Sequence, residues 1–329
     1  MQNRCLYIDI LRIFATMMVV MIHCSGWFNL ISPPPVQCID TELFGLMSGC
    51  AVPVFFMISG ALMLEPGYKT EIRKILYKIL KIIIILFLWG VVYALADMKD
   101  FSLYKLLIWT YKGHFHFWFF EYLIGVYLLL PVLKALVEYK DGIYVKFALI
   151  CWILFGVLKF TANGVVFYTD EIRIITSKIH YELVDFSGYF LLGHYLRNLD
   201  IRISKLLCTV TFVFCVFLQY IVSSYSLLNV STNNFTILGL IESICLYMFF
   251  KDVSTMKIHG IWIINISSIT LGVFLIHPLV LEHYMPNNIW YLPVIIRVII
   301  VWLYVFLVSG IIVYLLKKIP FVNKWMLSI

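Results

Sequence analysis

Apolar segments of about twenty residues, joined by short polar connections, set the strongest limit on how this chain folds. A helix of about 20 residues crosses the hydrocarbon core of a bilayer. The chain is 63% hydrophobic and only 13% charged, whereas roughly a quarter of the residues in a soluble domain are charged. The sequence therefore predicts an all-α, polytopic transmembrane helical bundle of about ten spans, at residues 7–29, 41–64, 76–96, 117–137, 142–161, 181–198, 204–224, 234–251, 261–279 and 289–316.

The distribution of basic residues predicts the orientation of these spans. If the N-terminus lies inside, most of the 25 basic residues fall in inner loops and at inner helix ends. This asymmetry is the positive-inside pattern, and with ten spans it predicts an N-in, C-in protein. It also explains the net charge of +7 without a nucleic-acid partner. We expect one integral membrane domain over residues 1–329, with the first span retained rather than cleaved.

The first span carries ionisable residues that a lipid-facing helix does not tolerate. Asp9, Arg12 and His23 interrupt the apolar sequence, and a charged group at the centre of a bilayer costs a few kcal/mol. Asp9 and Arg12 are one helical turn apart, and His23 follows Arg12 by about three turns, or roughly 16 Å. All three therefore lie on one stripe, which is typical of a helix facing a protein interior or an aqueous cavity. An inner-surface ion pair that only anchors the helix is an alternative for Asp9 and Arg12.

A second group of polar residues is predicted at the outer ends of the spans. The topology places the residues of this group at one depth with His23: His114, His116, Trp118, Glu121, His277 and Arg297. Acids, imidazoles and aromatic rings at one depth predict a polar pocket that opens outward. An interfacial aromatic belt is the alternative for Trp118, but it does not explain Glu121, His277 or Arg297.

A basic stripe is predicted at the opposite membrane face, where the third span begins. Lys74, Lys78 and Lys81 recur at helical spacing on one side of this helix. They are suited to bind a phosphorylated cytosolic ligand such as a coenzyme A nucleotide. Membrane anchoring by positive residues with snorkelling side chains remains an alternative.

The cysteines do not indicate a metal site or a disulfide framework. All eight are scattered, without a CxxC pair or metal-ligand spacing, and we interpret them as small apolar residues. The sequence thus predicts neither a bound metal nor a permanently bound cofactor.

Four segments give the chain a family resemblance. In order along the chain they are YIDILRIFATMMVVMIHCS, VPVFFMISGALML, HFHFWFFEYLIGVYLLLPVL and LGVFLIHPLV. They resemble the motifs of the acyltransferase-3 family of membrane acyltransferases, and the length is similar to that of its short surface-polysaccharide O-acetyltransferases. The resemblance implies transfer of an acyl group, often acetyl, from cytosolic acyl-coenzyme A to a carbohydrate hydroxyl at or beyond the outer face of a bacterial plasma membrane. The partners implied are acyl-coenzyme A, the bilayer and an envelope glycan or lipid-linked sugar.

The resemblance also implies roles for particular residues. It implies an essential arginine and histidine in the first span, which are Arg12 and His23 here. The family usually has two arginines at the start of the third span, whereas this chain has Lys78 and Lys81, which neutralise phosphate without a bidentate fork. His277 matches the family's late histidine motif, with a structural or acceptor-binding role.

Acyl transfer from a thioester needs a base near neutral pH, which imidazole provides. We expect His23 to be this general base, or in a variant mechanism the site of an acyl-histidine. Arg12 would hold the acyl-donor end or balance charge, and Asp9 would orient Arg12. The outer group without His114 would then bind the acceptor: His116, Trp118, Glu121, His277 and Arg297.

Two other classes of function remain open. A proton-coupled small-molecule transporter also uses intramembrane acids and histidines, but no internal repeat of the kind common in transporters is visible. A non-catalytic binding module is the third class, since related membrane modules occur fused to amino-acid racemases.

Overall fold

The computed structural model describes residues 5–31, 39–68, 70–139, 142–158, 161, 185–224, 235–251, 260–285 and 292–328. Its described residues form helices and no strands, which confirms the predicted all-α fold. In chain order the α-helices are α1 (Leu6–Ile31), α2 (Ile39–Ser48), α3 (Ala51–Met63), α4 (Ile72–Asp97), α5 (Leu103–Lys112), α6 (Trp118–Glu138), α7 (Ile143–Trp152), α8 (Asp185–Asn198), α9 (Lys205–Ser224), α10 (Ile237–Lys251), α11 (Ile261–Ser267), α12 (Thr270–His283), α13 (Val294–Leu316) and α14 (Pro320–Trp325). A 3₁₀ turn at Phe115–Phe117 precedes α6, and a π-helical turn at Ile153–Val157 extends α7.

Six helical segments of the described chain are long and apolar enough to cross a membrane. A seventh is added if α11 and α12, which meet at a bend of 52°, form one span. A helix begins or continues within each of the ten predicted spans, although parts of the spans at 142–161, 181–198, 234–251 and 289–316 lie outside the described residues. The chain is a multi-pass membrane protein, while the count of ten and the N-in, C-in orientation stay predictions.

Local sequence explains where several helices begin and end. The Ser102 side chain caps the start of α5 by accepting a hydrogen bond from the Lys105 amide. Gly113 ends α5 with a φ of 66°, a left-handed conformation that favours glycine. This turn allows the chain to enter the 3₁₀ turn that carries His116, so it positions a predicted site residue.

Contacts divide the chain into two compact units, and the prediction of a single domain is not tested by this division. Unit 1 contains Met1–Tyr68 and Val132–Ile264, and unit 2 contains Lys69–Pro131 and Asn265–Ile329. In unit 1, α1 packs against α2, α3 and α10, and α3 packs against α8. In unit 2, α4 packs against α5, α12 and α14, and α12 also packs against α13.

The closest helix packing in unit 1 depends on glycine. A methyl group at Gly60 of α3 would overlap the carbonyl oxygen of Phe190, and one at Gly193 of α8 would overlap that of Met57. Small residues let the backbones of two membrane helices approach closely, because lipid provides little hydrophobic drive for their association. These two glycines therefore fix the α3–α8 pair at the centre of unit 1.

Candidate active site

The predicted ion pair in α1 is present in unit 1. Arg12 Nη1 lies 3.6 Å from Asp9 Oδ1, with the two residues one turn apart. Asp9 is buried, whereas Arg12 is partly exposed. A buried carboxylate needs a cationic or hydrogen-bonded partner to offset its desolvation. The pair therefore holds the Arg12 side chain in a defined place beside a fixed negative charge.

The polar stripe of α1 is longer than the predicted residues alone. Thr16 and Trp27 follow Arg12 and His23 by four residues each, so they continue the same helix face. Thr16 Oγ1 donates to the Arg12 carbonyl oxygen at 2.8 Å. Sequence reasoning missed both residues, although their spacing from the charged positions was a usable signal.

The C-terminal end of this stripe holds His23 and Trp27. The His23 side chain is half-buried. The Trp27 indole nitrogen Nε1 is buried and has no hydrogen-bond partner among the residues that the structure describes. An indole N–H is a donor only. The stripe thus combines an imidazole with a nearby N–H donor one turn further along the helix.

The three predicted lysines of α4 have different surroundings in unit 2. Lys74 is exposed and forms an ion pair with Glu71 at 2.9 Å. The Lys78 ammonium lies 5.9 Å from the centre of the Tyr127 ring. Lys81 Nζ donates to Ser328 Oγ at 3.2 Å, which links α4 to the chain after α14. The lysines share one helix face, and Lys74 pairs with an acid.

The structure brings two of the predicted outer residues together in unit 2. His116 and His277 are buried, and their ring centres are 5.8 Å apart. His277 Nδ1 is 3.1 Å from the Val273 carbonyl oxygen. Because a carbonyl oxygen only accepts, this contact places a proton on His277 Nδ1. Phe274 packs against both imidazoles and helps to enclose them.

A third histidine, His114, which the sequence placed at this depth without a role, joins the group. His114 Nδ1 lies 2.9 Å from His116 Nδ1, and His114 Nε2 lies 3.2 Å from Glu282 Oε2. The Tyr93 ring stacks on the His114 ring at 4.0 Å with an interplanar angle of 20°. Sequence reasoning missed Glu282 and Tyr93. The acid–histidine step at the end of the LGVFLIHPLVLEH segment was the available signal for Glu282.

The remaining predicted acceptor residues occupy other positions in unit 2. Trp118 is half-buried and meets the Tyr122 ring edge-on, at 5.8 Å between ring centres. Glu121 is exposed on α6, and Arg297 is half-buried in the first turn of α13. The contacts of the histidine group thus unite two of the five predicted acceptor residues, and Glu121 faces outward from the unit.

Glu282 also belongs to a group of two acids and one imidazole. Asp97, Glu282 and His283 each offer one ligand atom, and these atoms lie within 4.8 Å of one another. His283 Nε2 is 3.1 Å from Asp97 Oδ1, so these two side chains already form a hydrogen-bonded pair. Asp97 and His283 are partly exposed. The expected absence of a metal stays a prediction.

The fold and these polar groups define a multi-pass membrane protein with ionisable residues on its first helix and an enclosed histidine group in its second unit. The model of the acyltransferase-3 family, described as an acyltransferase domain (Acyl_transf_3), matches residues 6–316. The chain belongs to this family.

A curated protein gives a further similarity over part of the chain. An amino-acid racemase of Enterococcus faecalis is 33% identical over 149 residues, which cover 41% of this chain. The matched region covers only 20% of that racemase's length. No solved structure matches the chain. The family match therefore supports an acyltransferase in general terms, and the donor, the acceptor and the residue roles belong to the proposal below.

Proposed function

We propose that this protein moves an acyl group, with acetyl favoured, from cytosolic acyl-coenzyme A to a hydroxyl group of a cell-envelope carbohydrate. Membership of the family supports the acyl transfer. The polar stripe of α1, with its Asp9–Arg12 ion pair, is the observation that supports the residue roles. A helix that keeps a buried acid, an arginine and an imidazole on one face has a functional rather than a packing reason for them.

In this mechanism His23 takes the proton of the attacking hydroxyl. The hydroxyl oxygen forms a bond to the thioester carbonyl carbon, and the carbon–sulfur bond then breaks to release the coenzyme A thiolate. Arg12 holds the acyl-donor end, and Asp9 keeps Arg12 in place through the contact at 3.6 Å. A negative oxygen develops on the carbonyl group and needs a hydrogen-bond donor. The buried Trp27 N–H, one turn from His23, is our candidate for this donor.

The two substrates are assigned to different sets of residues. Lys74, Lys78 and Lys81 would neutralise the phosphates of coenzyme A at the cytosolic face, and acyl-coenzyme A acts as a substrate rather than a bound cofactor. The acceptor, an envelope glycan or lipid-linked sugar, would be bound by the outer residues His116, Trp118, Glu121, His277 and Arg297. The setting we propose is a bacterial plasma membrane with both termini inside.

The test uses purified protein in nanodiscs with radiolabelled acetyl-coenzyme A and an envelope glycan fraction. We compare the wild type with His23→Gln and with His283→Gln, a matched control whose ring pairs with Asp97. We expect His23→Gln to reduce label transfer by about 10²- to 10⁴-fold, the contribution typical of a general base. The control should keep its activity. Label that stays on the wild-type protein but not on His23→Gln would identify the acyl-histidine variant.

Full transfer by His23→Gln would exclude the proposed role of His23. Absence of thioester turnover in the wild type, with membranes supplying the acceptor, would exclude the acyltransferase proposal itself. The proton-coupled transporter would then be the leading interpretation, because the same acids and histidines could carry protons.

A second candidate function is a membrane module that binds an amino acid. The observation that favours it is the similarity of 149 residues to the amino-acid racemase of Enterococcus faecalis. Equilibrium dialysis of the nanodisc protein with radiolabelled L- and D-amino acids tests it. Saturable binding of an amino acid without acyl transfer would favour the binding module over the enzyme.

A further inference from the structure

Three ionisable side chains of unit 2 form a hydrogen-bonded chain from the surface of the unit into its interior. Glu282 Oε2 contacts His114 Nε2 at 3.2 Å, and His114 Nδ1 contacts His116 Nδ1 at 2.9 Å. The exposed fraction is 21% for the Glu282 side chain, 11% for the His114 side chain and 1% for His116. These hydrogen bonds therefore connect the accessible Glu282 carboxylate with the buried His116 imidazole.

The contact between the two Nδ1 atoms determines where the ring protons lie. At 2.9 Å one Nδ1 must carry hydrogen and the other must accept it. Two neutral imidazoles hold two ring protons, so the second proton sits on one of the two Nε2 atoms. The Glu282 carboxylate only accepts, and it therefore places that proton on His114 Nε2. His116 Nε2 is left as the lone-pair nitrogen of the neutral pair.

This arrangement can move a proton outward. A proton that reaches His116 Nε2 allows the shared proton to pass from His116 Nδ1 to His114 Nδ1. The proton on His114 Nε2 then passes to Glu282, which releases it to water. Each ring gains one N–H bond and loses one, so one proton has moved from the interior to the surface. The two tautomers are then inverted, and they reset by ring rotation or by transfer in the opposite direction.

The surrounding side chains hold the relay in a fixed geometry. Tyr93 stacks on His114, and its hydroxyl group donates to the Leu275 carbonyl oxygen at 2.8 Å. Phe117 and Phe274 lie against His116, at 4.7 Å and 5.7 Å between ring centres. Aromatic rings around His116 restrict the access of water, so side chains provide the path for a proton.

Other titratable groups face both ends of the hydrogen-bonded series formed by Glu282, His114 and His116. Asp97 and His283 lie beside Glu282 at the exposed end, where they form their own pair at 3.1 Å. Tyr93 and His277 lie at the buried end. His277 donates its Nδ1 proton to the Val273 carbonyl oxygen. Asp97 is therefore the matched carboxylate for a control, because it is close to Glu282 without contacting His114 in this way.

We propose that Glu282, His114 and His116 form a proton relay that carries a proton from the acceptor side of the reaction to the surface of unit 2. The inference rests on the proposed function, in which the hydroxyl group loses a proton on the acceptor side while the coenzyme A thiolate gains one on the donor side. The acceptor side therefore needs an outlet for one proton per turnover. In this role Glu282 is a positioning and proton-releasing residue that touches neither substrate.

Histidine tautomers test the relay independently of activity. The protein, labelled with ¹⁵N-histidine, is studied by nuclear magnetic resonance in nanodiscs above neutral pH, with His114→Asn and His116→Asn used for assignment. We expect a proton on Nε2 of His114 and on Nδ1 of His116. Glu282→Ala should yield mixed tautomers, whereas Asp97→Asn should leave the wild-type pattern. A proton on Nε2 of His116 in the neutral wild type would overturn the relay.

Chemical rescue tests the transport of the proton. In the acyl-transfer assay we expect Glu282→Ala to lower kcat about tenfold, the effect of losing one charge-assisted hydrogen bond, with little change in the KM of either substrate. A high concentration of imidazole or formate buffer should restore the rate, and Glu282→Asp should retain it. Asp97→Asn should behave as the wild type.

Several outcomes would overturn the proposal. One is a full rate in Glu282→Ala, and another is a loss that buffer does not restore, since a structural defect would not respond to a diffusible acid. A third is loss of wild-type activity on chelation with recovery on adding Zn²⁺, which would make Glu282 a metal ligand. If the wild type transfers no acyl group, the proposed function fails, and the tautomer experiment still decides whether the relay exists.

Discussion

Two groups of polar side chains, one in each unit, serve different purposes. In unit 1 three basic side chains, besides any ion pairs with acids, bind backbone carbonyl oxygens at helix ends. Lys134 is buried and donates to the carbonyl oxygen of Leu64 at 3.1 Å and to that of Glu65. Arg197 donates to the Ala61 carbonyl oxygen at 2.7 Å. In unit 2 the side chains of Glu282, His114 and His116 bind one another in a continuous series of hydrogen bonds.

The difference has a physical cause. The last four carbonyl groups of a helix have no partner within it, and membrane surroundings make an unsatisfied carbonyl costly. In unit 1 Lys134 and Arg197 satisfy such groups, and Lys251 does so for Leu196 and Leu199 at 2.7 Å and 2.6 Å. These side chains serve stability. The hydrogen-bonded series of Glu282, His114 and His116 in unit 2 satisfies no helix end, so a chemical role explains these polar contacts better than a stabilising one.

The largest effect should follow from disturbing the helix pair at the centre of unit 1. Gly193→Val places side-chain atoms against the backbone of Met57. Overpacking of this kind costs about 3 kcal/mol or more because neither backbone can yield. We expect Tm in detergent to fall by about 10 °C, measured by fluorescence-detected size-exclusion chromatography after heating. Gly26→Ala, at a position with open space around it, is the control and should change Tm little.

The second prediction concerns a basic residue that serves the fold of unit 1. Lys134→Met removes the donor to two helix-end carbonyl groups, and we expect a loss of about 2 kcal/mol of stability. Thermal unfolding in detergent measures the change. Lys146→Met, at an exposed position of α7, is the matched control. A stable Lys134→Met protein that has lost activity would instead place Lys134 in the site and break the comparison between the units.

The third prediction concerns the exception in unit 1, the polar stripe of α1. Asp9→Asn removes the charge that holds Arg12, and we expect transfer activity to fall about tenfold, or about 1.4 kcal/mol. Arg12→Gln alone and with Asp9→Asn completes a double-mutant cycle. The two effects should be far from additive because the residues act as one pair. Additive effects would show that Asp9 does not act through Arg12.

The smallest effect should follow from the basic stripe of unit 2. Lys81→Met removes one cation near the proposed phosphates, and we expect the KM for acetyl-coenzyme A to rise about fivefold, typical of one exposed charge contact. Neither kcat nor Tm should change much. Lys105→Met, in exposed α5, is the control. An unchanged KM combined with a lower Tm would show that Lys81 only anchors the chain end through Ser328.

Particular residues show how far sequence reasoning extends. Asp9 and Arg12 were predicted correctly as one helix-turn pair because helical spacing alone brings them together. The meeting of His116 with His277 also agrees with their predicted common depth. Glu282 and Tyr93 were missed because their importance arises from contacts across long sequence separations. Glu121 was grouped by depth with these residues, but depth does not determine the direction in which a helix presents its side chains.

The sequence by itself determined the membrane class, the all-α fold, the family motifs and the polar face of α1. These properties follow from composition and from periodicity within one helix, both of which are local. The tertiary structure decided which carbonyl groups accept hydrogen bonds from Lys134 and Arg197. It also decided how closely Gly60 and Gly193 let α3 and α8 approach, and which nitrogen of His114 faces His116. Those contacts join distant segments, and their geometry depends on helix rotation and packing, which no local pattern specifies.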